Sequence, residues 1–291
     1  MASSDIWYLE NIIDYAGTFP PAALSASESL ANYLAYKQGQ ESWIVGSLAW
    51  SCAALPDLTA LVGEEDVELA LIGRPSTDWD SWQEARALDH SDFLRAMNAS
   101  KTIAPATYES RLVDLTKVPE ALAILGKLKK ETDVFIELPW DVPLEDVLPE
   151  IAAVEWARIK FRTGGLAKEA YPTPLQLASV IKQCVDLELE FKLTAGLHEP
   201  IAHIDSSNGA FAHGFLNILM ATAMAYDDAS EEEMAAVLSS DDAGKWSVGK
   251  GLSFDGKVLG EDELNDARSF FGSFGSCSVS EPLQGLSGLH R

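Results

Sequence analysis

Paired cysteines, metalloprotease signatures and glycine-rich nucleotide loops are all missing from this chain. Cys52, Cys184 and Cys277 lie far apart with no CxxC pair. Neither a disulfide framework nor a zinc ribbon is therefore expected, and the thiols read as reduced, as in a cytoplasmic protein. No HExxH or HxxEH pattern occurs, which argues against a resident catalytic metal, and no cofactor is expected. Positive charge is scarce as well. Against 45 Asp+Glu stand only 21 Lys+Arg, a formal net charge of -24, whereas nucleic acid and anionic membrane both require a basic footprint. Neither is an expected partner. The longest apolar run, Gly214 to Tyr226, is too short to span a bilayer, and the opening MASSDIWYLENII lacks the basic and apolar regions of a secretory leader. No Pro- or Ser-rich linker, repeat or low-complexity tract interrupts the 291 residues. At 47% hydrophobic, residues 1–291 can bury one large core, and a single domain is expected.

What is present alternates between strand and helix patterns. Expected strands run from Ile12 to Ala16, Trp43 to Cys52, Val67 to Gly73, Lys101 to Leu112 and Asp133 to Trp140, then Trp156 to Gly165, Glu190 to His198 and Trp246 to Phe254. Between them, helical spacing covers Ser27 to Lys37, Pro56 to Val62, Trp79 to Met97, Pro119 to Lys130, Leu144 to Val154 and Thr173 to Cys184. Further helices are expected from Gly214 to Tyr226, Ser230 to Leu238 and Glu261 to Phe271. Eight strand-helix units in this length predict an α/β TIM (β/α)8 barrel. The alternative is an open doubly wound sheet, but no GxGxxG follows the first strand.

Two stretches carry the chemistry. In WARIKFRTGG, strand period puts Trp156, Arg158, Lys160 and Arg162 on one face and Ala157, Ile159, Phe161 and Thr163 on the other. In EFKLTAGLH, Glu190, Lys192, Thr194, Gly196 and His198 alternate with apolar residues. The helix between them implies parallel strands, which are covered on both faces, so these charged faces point into a cavity. Neighbouring strands add Glu109, Arg111 and Glu137. Two acids beside two lysines can be a structural ion-pair plug or a reaction site. Lysines close together in a dry cavity depress one another's pKa, and a neutral one can form a Schiff base while a nearby acid shuttles protons. Arg158 and Arg162 are expected to depress Lys160, and Glu190 to hold Lys192 protonated.

The segments Lys160-Phe161-Arg162-Thr163-Gly164-Gly165 and Lys192-Leu193-Thr194-Ala195-Gly196-Leu197 resemble deoxyribose-phosphate aldolase and related class I aldolases. In that family a Schiff-base lysine on the sixth strand is followed by an assisting lysine on the seventh. The resemblance implies Lys160 as nucleophile and Lys192 as its modulator. Glu137 or Glu109 is then the acid-base group, and Arg162 the holder of a substrate carboxylate or phosphate. Arg111, Thr163, Thr194 and His198 complete the expected substrate-binding set. Arg162 is bulkier than the family's small polar residue, and no Gly-Thr-Ser phosphate loop follows the eighth expected strand.

Other groups admit plainer readings. His198, His203 and His213, with Glu199 and Asp205, could supply a divalent metal, though their spacing fits no standard motif. Gly272 to Ser278 reads as a helix-terminating loop or an anion cradle, Cys277 as a structural thiol, and Asn217 as a satisfied core amide. Three functions follow: a class I lyase on a small oxygenated carbonyl compound; a sugar isomerase or epimerase using the carboxylates, with or without metal; or a non-enzymatic barrel binding a small anion or partner. The sequence leaves a homo-oligomer open.

Overall fold

The computed structural model describes residues 5–140, 143–165 and 167–289. Seven strands run in sequence: β1 (Ile13–Tyr15), β2 (Val45–Ser51), β3 (Val67–Ile72), β4 (Ile103–Arg111), β5 (Asp133–Glu137), β6 (Ala157–Arg162) and β7 (Phe191–Thr194). A two-stranded ribbon, β8 (His203–Ile204) with β9 (Phe211–Ala212), follows. A three-stranded antiparallel sheet comes next, formed by β10 (Trp246–Val248), β11 (Leu252–Phe254) and β12 (Lys257–Leu259), and then β13 (Phe271–Ser276). Strands β1 to β7 and β13 close into a barrel in the order β1-β13-β7-β6-β5-β4-β3-β2. Every barrel pairing is parallel. The fold is a TIM barrel, and the open-sheet alternative is set aside.

The helices begin where the sequence provides caps. Ser25 with Glu28, Thr173 with Gln176 and Ser230 with Glu233 form reciprocal capping boxes at Ala26–Gln38, Pro174–Asp186 and Glu231–Leu238. Each satisfies backbone donors that the first turn leaves orphaned. Two expected helices are shorter than their apolar spacing suggests, at Val118–Leu125 and Val147–Ala152.

The eighth stave departs from expectation. Trp246 to Phe254 is not a barrel strand. Asp255 and Gly256 both take positive φ, 49° and 88°, the requirement of a two-residue hairpin, and they fold β12 back on β11 outside the barrel. The eighth stave is β13, from the segment FGSFGS that reads as loop. Its glycines and serines have low strand propensity, but pairing with β7 on one side and β1 on the other overrides that. Small residues are also needed here, since a Cβ on Gly272 would lie 2.7 Å from the Glu190 carboxylate. An unanticipated final helix, Ser280–Leu289, follows.

Outside the barrel, a charged network fastens helix Trp79–Ala99 to β4. Asp89, 1% exposed, accepts from Arg86 at 2.9 Å, from Arg74 at 2.6 Å and from the Tyr108 hydroxyl at 2.8 Å. Arg86 also donates to Ser110 at 2.7 Å. Among the described residues, no helix is long and apolar enough to cross a membrane.

Removing one partner of a buried ion pair strands the other. Asp89→Ala should therefore cost about 3 to 5 kcal/mol in urea unfolding, whereas Lys117→Ala at the exposed Lys117–Glu120 pair should cost under about 1 kcal/mol. Equal losses would show that the Asp89 network contributes no more than a surface pair.

Candidate active site

Strand register assembles a charged layer inside the barrel. Arg111 lies opposite Glu137, Glu137 opposite Lys160, and Lys160 opposite Lys192, so four neighbouring strands place these residues in one row. Closure of the barrel brings β1 beside β13 and adds a residue the sequence reading missed, Asp14. Lys192 Nζ donates to Asp14 Oδ2 at 2.6 Å and to Glu109 Oε1 at 2.5 Å. Lys160 Nζ forms ion pairs with Glu109 Oε2 at 2.6 Å and Glu137 Oε2 at 2.9 Å. Glu109 thus bridges the two ammonium groups. The chain Asp14–Lys192–Glu109–Lys160–Glu137 is almost wholly buried, with Lys192 1% and Lys160 2% exposed. Ser273 donates to Asp14 Oδ2 at 2.8 Å, and the Ser47 amide donates to Oδ1 at 3.2 Å. The Lys192 ammonium also stands 5.2 Å from the Phe135 ring centroid, within cation–π range.

The two lysines differ in how near their partners lie to solvent: the Glu137 side chain beside Lys160 is 10% exposed, against 7% for Asp14 beside Lys192 and 2% for the shared Glu109.

The electrostatics overturn the expected pKa depression. Burial alone would lower both lysines, but Glu109 and Glu137 outweigh it at Lys160, and Asp14 and Glu109 at Lys192, so both are raised above 10.5. Burial likewise pushes Glu109 up, yet the two ammonium groups bring its pKa down to about 2. Arg158 does not depress Lys160. It is engaged lower in the barrel with Glu190 at 2.5 Å and Asp133 at 2.9 Å. Glu190 is therefore committed to Arg158 and does not hold Lys192.

The remaining expected residues divide. Thr194 sits one inward step above Lys192, its hydroxyl buried and unpartnered among the described residues. Thr163 is not available in that way, because its hydroxyl donates to Ala195 O at 2.8 Å and clamps the ends of β6 and β7 together. Gly164 and Gly196 make the clamp possible, since a Cβ on Gly164 would meet Gly196 Cα at 2.8 Å. His198 leaves the inward face because Ala195 and Gly196 turn the chain with φ of 65° and 77°, and its Nδ1 meets Glu281 at 3.0 Å. Arg111 and Arg162 are exposed at the ends of their strands.

The three histidines do not converge. His203 Nδ1 meets Ile201 O, and His213 Nε2 donates to Pro172 O. Among the described residues, no group of three or more His, Cys, Asp or Glu side chains is placed to hold a metal ion. Asn217 is the satisfied core amide expected, donating to Val237 O and Ser240 O.

No family model matches the sequence, and no curated protein matches it significantly. Solved structures do. A deoxyribose phosphate aldolase from Aeropyrum pernix, described as a unique tetramer, superposes with a TM-score of 0.53 at 9% identity, over 97% of this chain and 92% of that one. A structure described as QR15, an aldolase, gives 0.49 at 8% identity, over 95% and 94%. The first likeness establishes a common barrel fold and, with it, a distant structural resemblance to deoxyribose-phosphate aldolases.

Linkage makes Glu109 a source of pH-dependent stability. Its folded pKa of about 2 lies below the ordinary 4.5, so its contribution is present above pH 4.5 and lost as pH falls toward 2. The difference is on the order of 3 kcal/mol. Urea unfolding between pH 7 and pH 2 should show this acid loss, and Glu109→Gln should flatten it. An unchanged acid slope in the variant would place the loss elsewhere.

Proposed function

We propose that this chain is a class I lyase of the aldolase type, forming a Schiff base between Lys160 and a small oxygenated carbonyl compound. The observation that supports it is a lysine pair on β6 and β7 bridged by one buried carboxylate, where barrel interiors usually carry branched apolar layers. In this reading Lys160 loses one proton to solvent by way of Glu137, the more exposed of its two partners. The neutral amine attacks the carbonyl carbon, and the carbonyl oxygen takes up two protons and leaves as water. In the cleavage direction, a carboxylate removes the proton of the substrate's β-hydroxyl. The bond between the α and β carbons breaks, and its electrons enter the iminium as an enamine. Protonation at carbon and hydrolysis release product and restore Lys160. Lys192 stays protonated and acts through Glu109 on the charge of the developing iminium.

Lys160 is assigned as nucleophile because its partner Glu137 lies nearer to solvent than either partner of Lys192. A second reading has its own support: two ammonium groups kept protonated and sealed from solvent suit a structural plug, since buried ion pairs are costly yet specific.

Borohydride reduction with a panel of small aldehydes and ketones, followed by peptide mapping, separates the two. Adduct should form on Lys160, vanish in Lys160→Met and form more slowly in Lys192→Met. Adduct confined to Lys192 would reverse the roles, and no site-specific adduct with any carbonyl would leave the plug.

The raised pKa sets the pH profile. Only the neutral amine attacks, so the trapping rate should climb about tenfold per pH unit from pH 7 toward 10. A plateau below pH 8 would mean that Lys160 is depressed after all.

A further inference from the structure

Cations are outnumbered more than two to one in this chain, yet two exposed arginines end the strands that carry the buried layer. Arg162 is two residues beyond Lys160 on β6, on the same face and about 7 Å along the strand. Arg111 lies on β4, in register with Glu137 and so two strands from Lys160, about 10 Å away. Neither guanidinium forms an ion pair with a described residue, whereas Arg74, Arg86, Arg95 and Arg158 all do. Beside the ends of β4 and β5 opens a cleft of about 590 Å³, with Ser76, Thr77, Arg111, Leu112, Leu115 and Pro139 in its wall. It offers hydroxyls, one cation, apolar surface and one carboxylate, Asp114, which accepts hydrogen bonds from Thr116.

The opposite side of the mouth is closed to an anion. Barrel enzymes often seat phosphate at the loops after the last two strands and the N-terminus of a following helix. Here Glu281 occupies the first turn of helix Ser280–Leu289 and holds His198. Two of the loop's own donors are spent internally, Ser278 N on Ser276 Oγ and Glu281 N on Ser278 Oγ. A negative charge already stands where a phosphate would go.

We propose that the substrate is an oxo acid, its carboxylate held by Arg162 with Arg111 and its apolar chain directed toward the Ser76–Pro139 cleft. This inference rests on the Schiff-base reading. The planar guanidinium matches a carboxylate edge with two parallel hydrogen bonds, and the short run from Lys160 to Arg162 suits a carbonyl a few bonds from the acid. In a chain of net charge -24, an anionic substrate needs such a local reversal of sign to approach at all.

The test compares three aldehydes of similar size under borohydride: 4-oxobutanoate, neutral butanal and glyceraldehyde 3-phosphate. Each forms an Nζ–carbon bond with loss of the carbonyl oxygen as water, and borohydride delivers hydride to the iminium carbon. The wild type should trap 4-oxobutanoate roughly tenfold or more faster than butanal, a preference that shrinks in high salt. In Arg162→Gln the ratio should fall toward one, and in Arg111→Gln it should fall part of the way, with melting temperatures confirming that both variants fold. Equal trapping in the wild type, a ratio unmoved by Arg162→Gln, or preference for the phosphorylated aldehyde would overturn the oxo-acid assignment while leaving the Schiff base standing. No adduct even with butanal would overturn both.

Discussion

Glu109 is the group on which the interior of this barrel depends. One carboxylate, 2% exposed, meets both buried ammonium groups at 2.5 and 2.6 Å, and neither lysine could remain inside without it. A lone ammonium in a dry interior would surrender its proton or drag water inward. Two of them tolerate each other only because a negative charge stands between. Asp14 and Glu137 then close the ends of the chain, so three carboxylates and two ammonium groups leave a single net negative charge. The layer is close to neutral and contains protons that a short move can relocate.

The walls answer to the same layer. Closed parallel pairing sets the side chains of alternate strands at common levels, and the barrel gives that layer the space its charges need. On β13 the inward positions are Ser273 and Gly275: one donates a hydrogen bond to Asp14, the other lies against the Thr194 side chain. A side chain on Gly275 would press on Thr194, its Cβ only 3.3 Å from Thr194 Cγ2. At the top, Thr163 and the Gly164–Gly196 contact lock the ends of β6 and β7. The two lysines therefore sit on strands whose relative position is fixed at the rim.

Much of this was legible from period and spacing. The two-residue alternation of ARIKFR and FKLT put Lys160 and Lys192 on inward faces, and the helix between them made their strands parallel. What was not legible had physical reasons. Pairing partners are nonlocal, so parity alone could say that Lys160 faces inward but not that Glu109 would stand between it and Lys192. That is why the expected sign of the pKa shift was wrong. The register places Arg158 one level lower, where Glu190 and Asp133 take it. Asp14 did leave a signal, as an acid within the short apolar run IIDYA, where an unpaired carboxylate would be costly. The true eighth stave left almost none, because its small residues serve the interior and not the propensity of the strand. The Asp255-Gly256 pair was the available warning that Trp246 to Phe254 turns back on itself.

An ammonium held this firmly is a poor nucleophile at rest, and that is a constraint on the proposed chemistry rather than an objection to it. Burial favours the neutral amine, and the carboxylates oppose burial. Of the two lysines, Lys160 has the partner nearest the solvent, Glu137, whose side chain is 10% exposed against 2% for Glu109. A substrate entering beside Lys160 must displace a contact, and Glu137 is the one with somewhere to go. Once it takes the Lys160 proton and swings away with it, Lys160 keeps the same burial but has lost one of the two charges that offset it, so the amine stays neutral. Lys192 has no such exit: Asp14 is pinned by Ser273 and the Ser47 amide, and Glu109 is shared. The same displacement that makes room for a carbonyl therefore weakens the hold on the Lys160 proton and leaves that of Lys192 intact. Arrival of substrate and release of the nucleophile become a single event, which is how a site built from saturated ion pairs can stay inert until it is occupied.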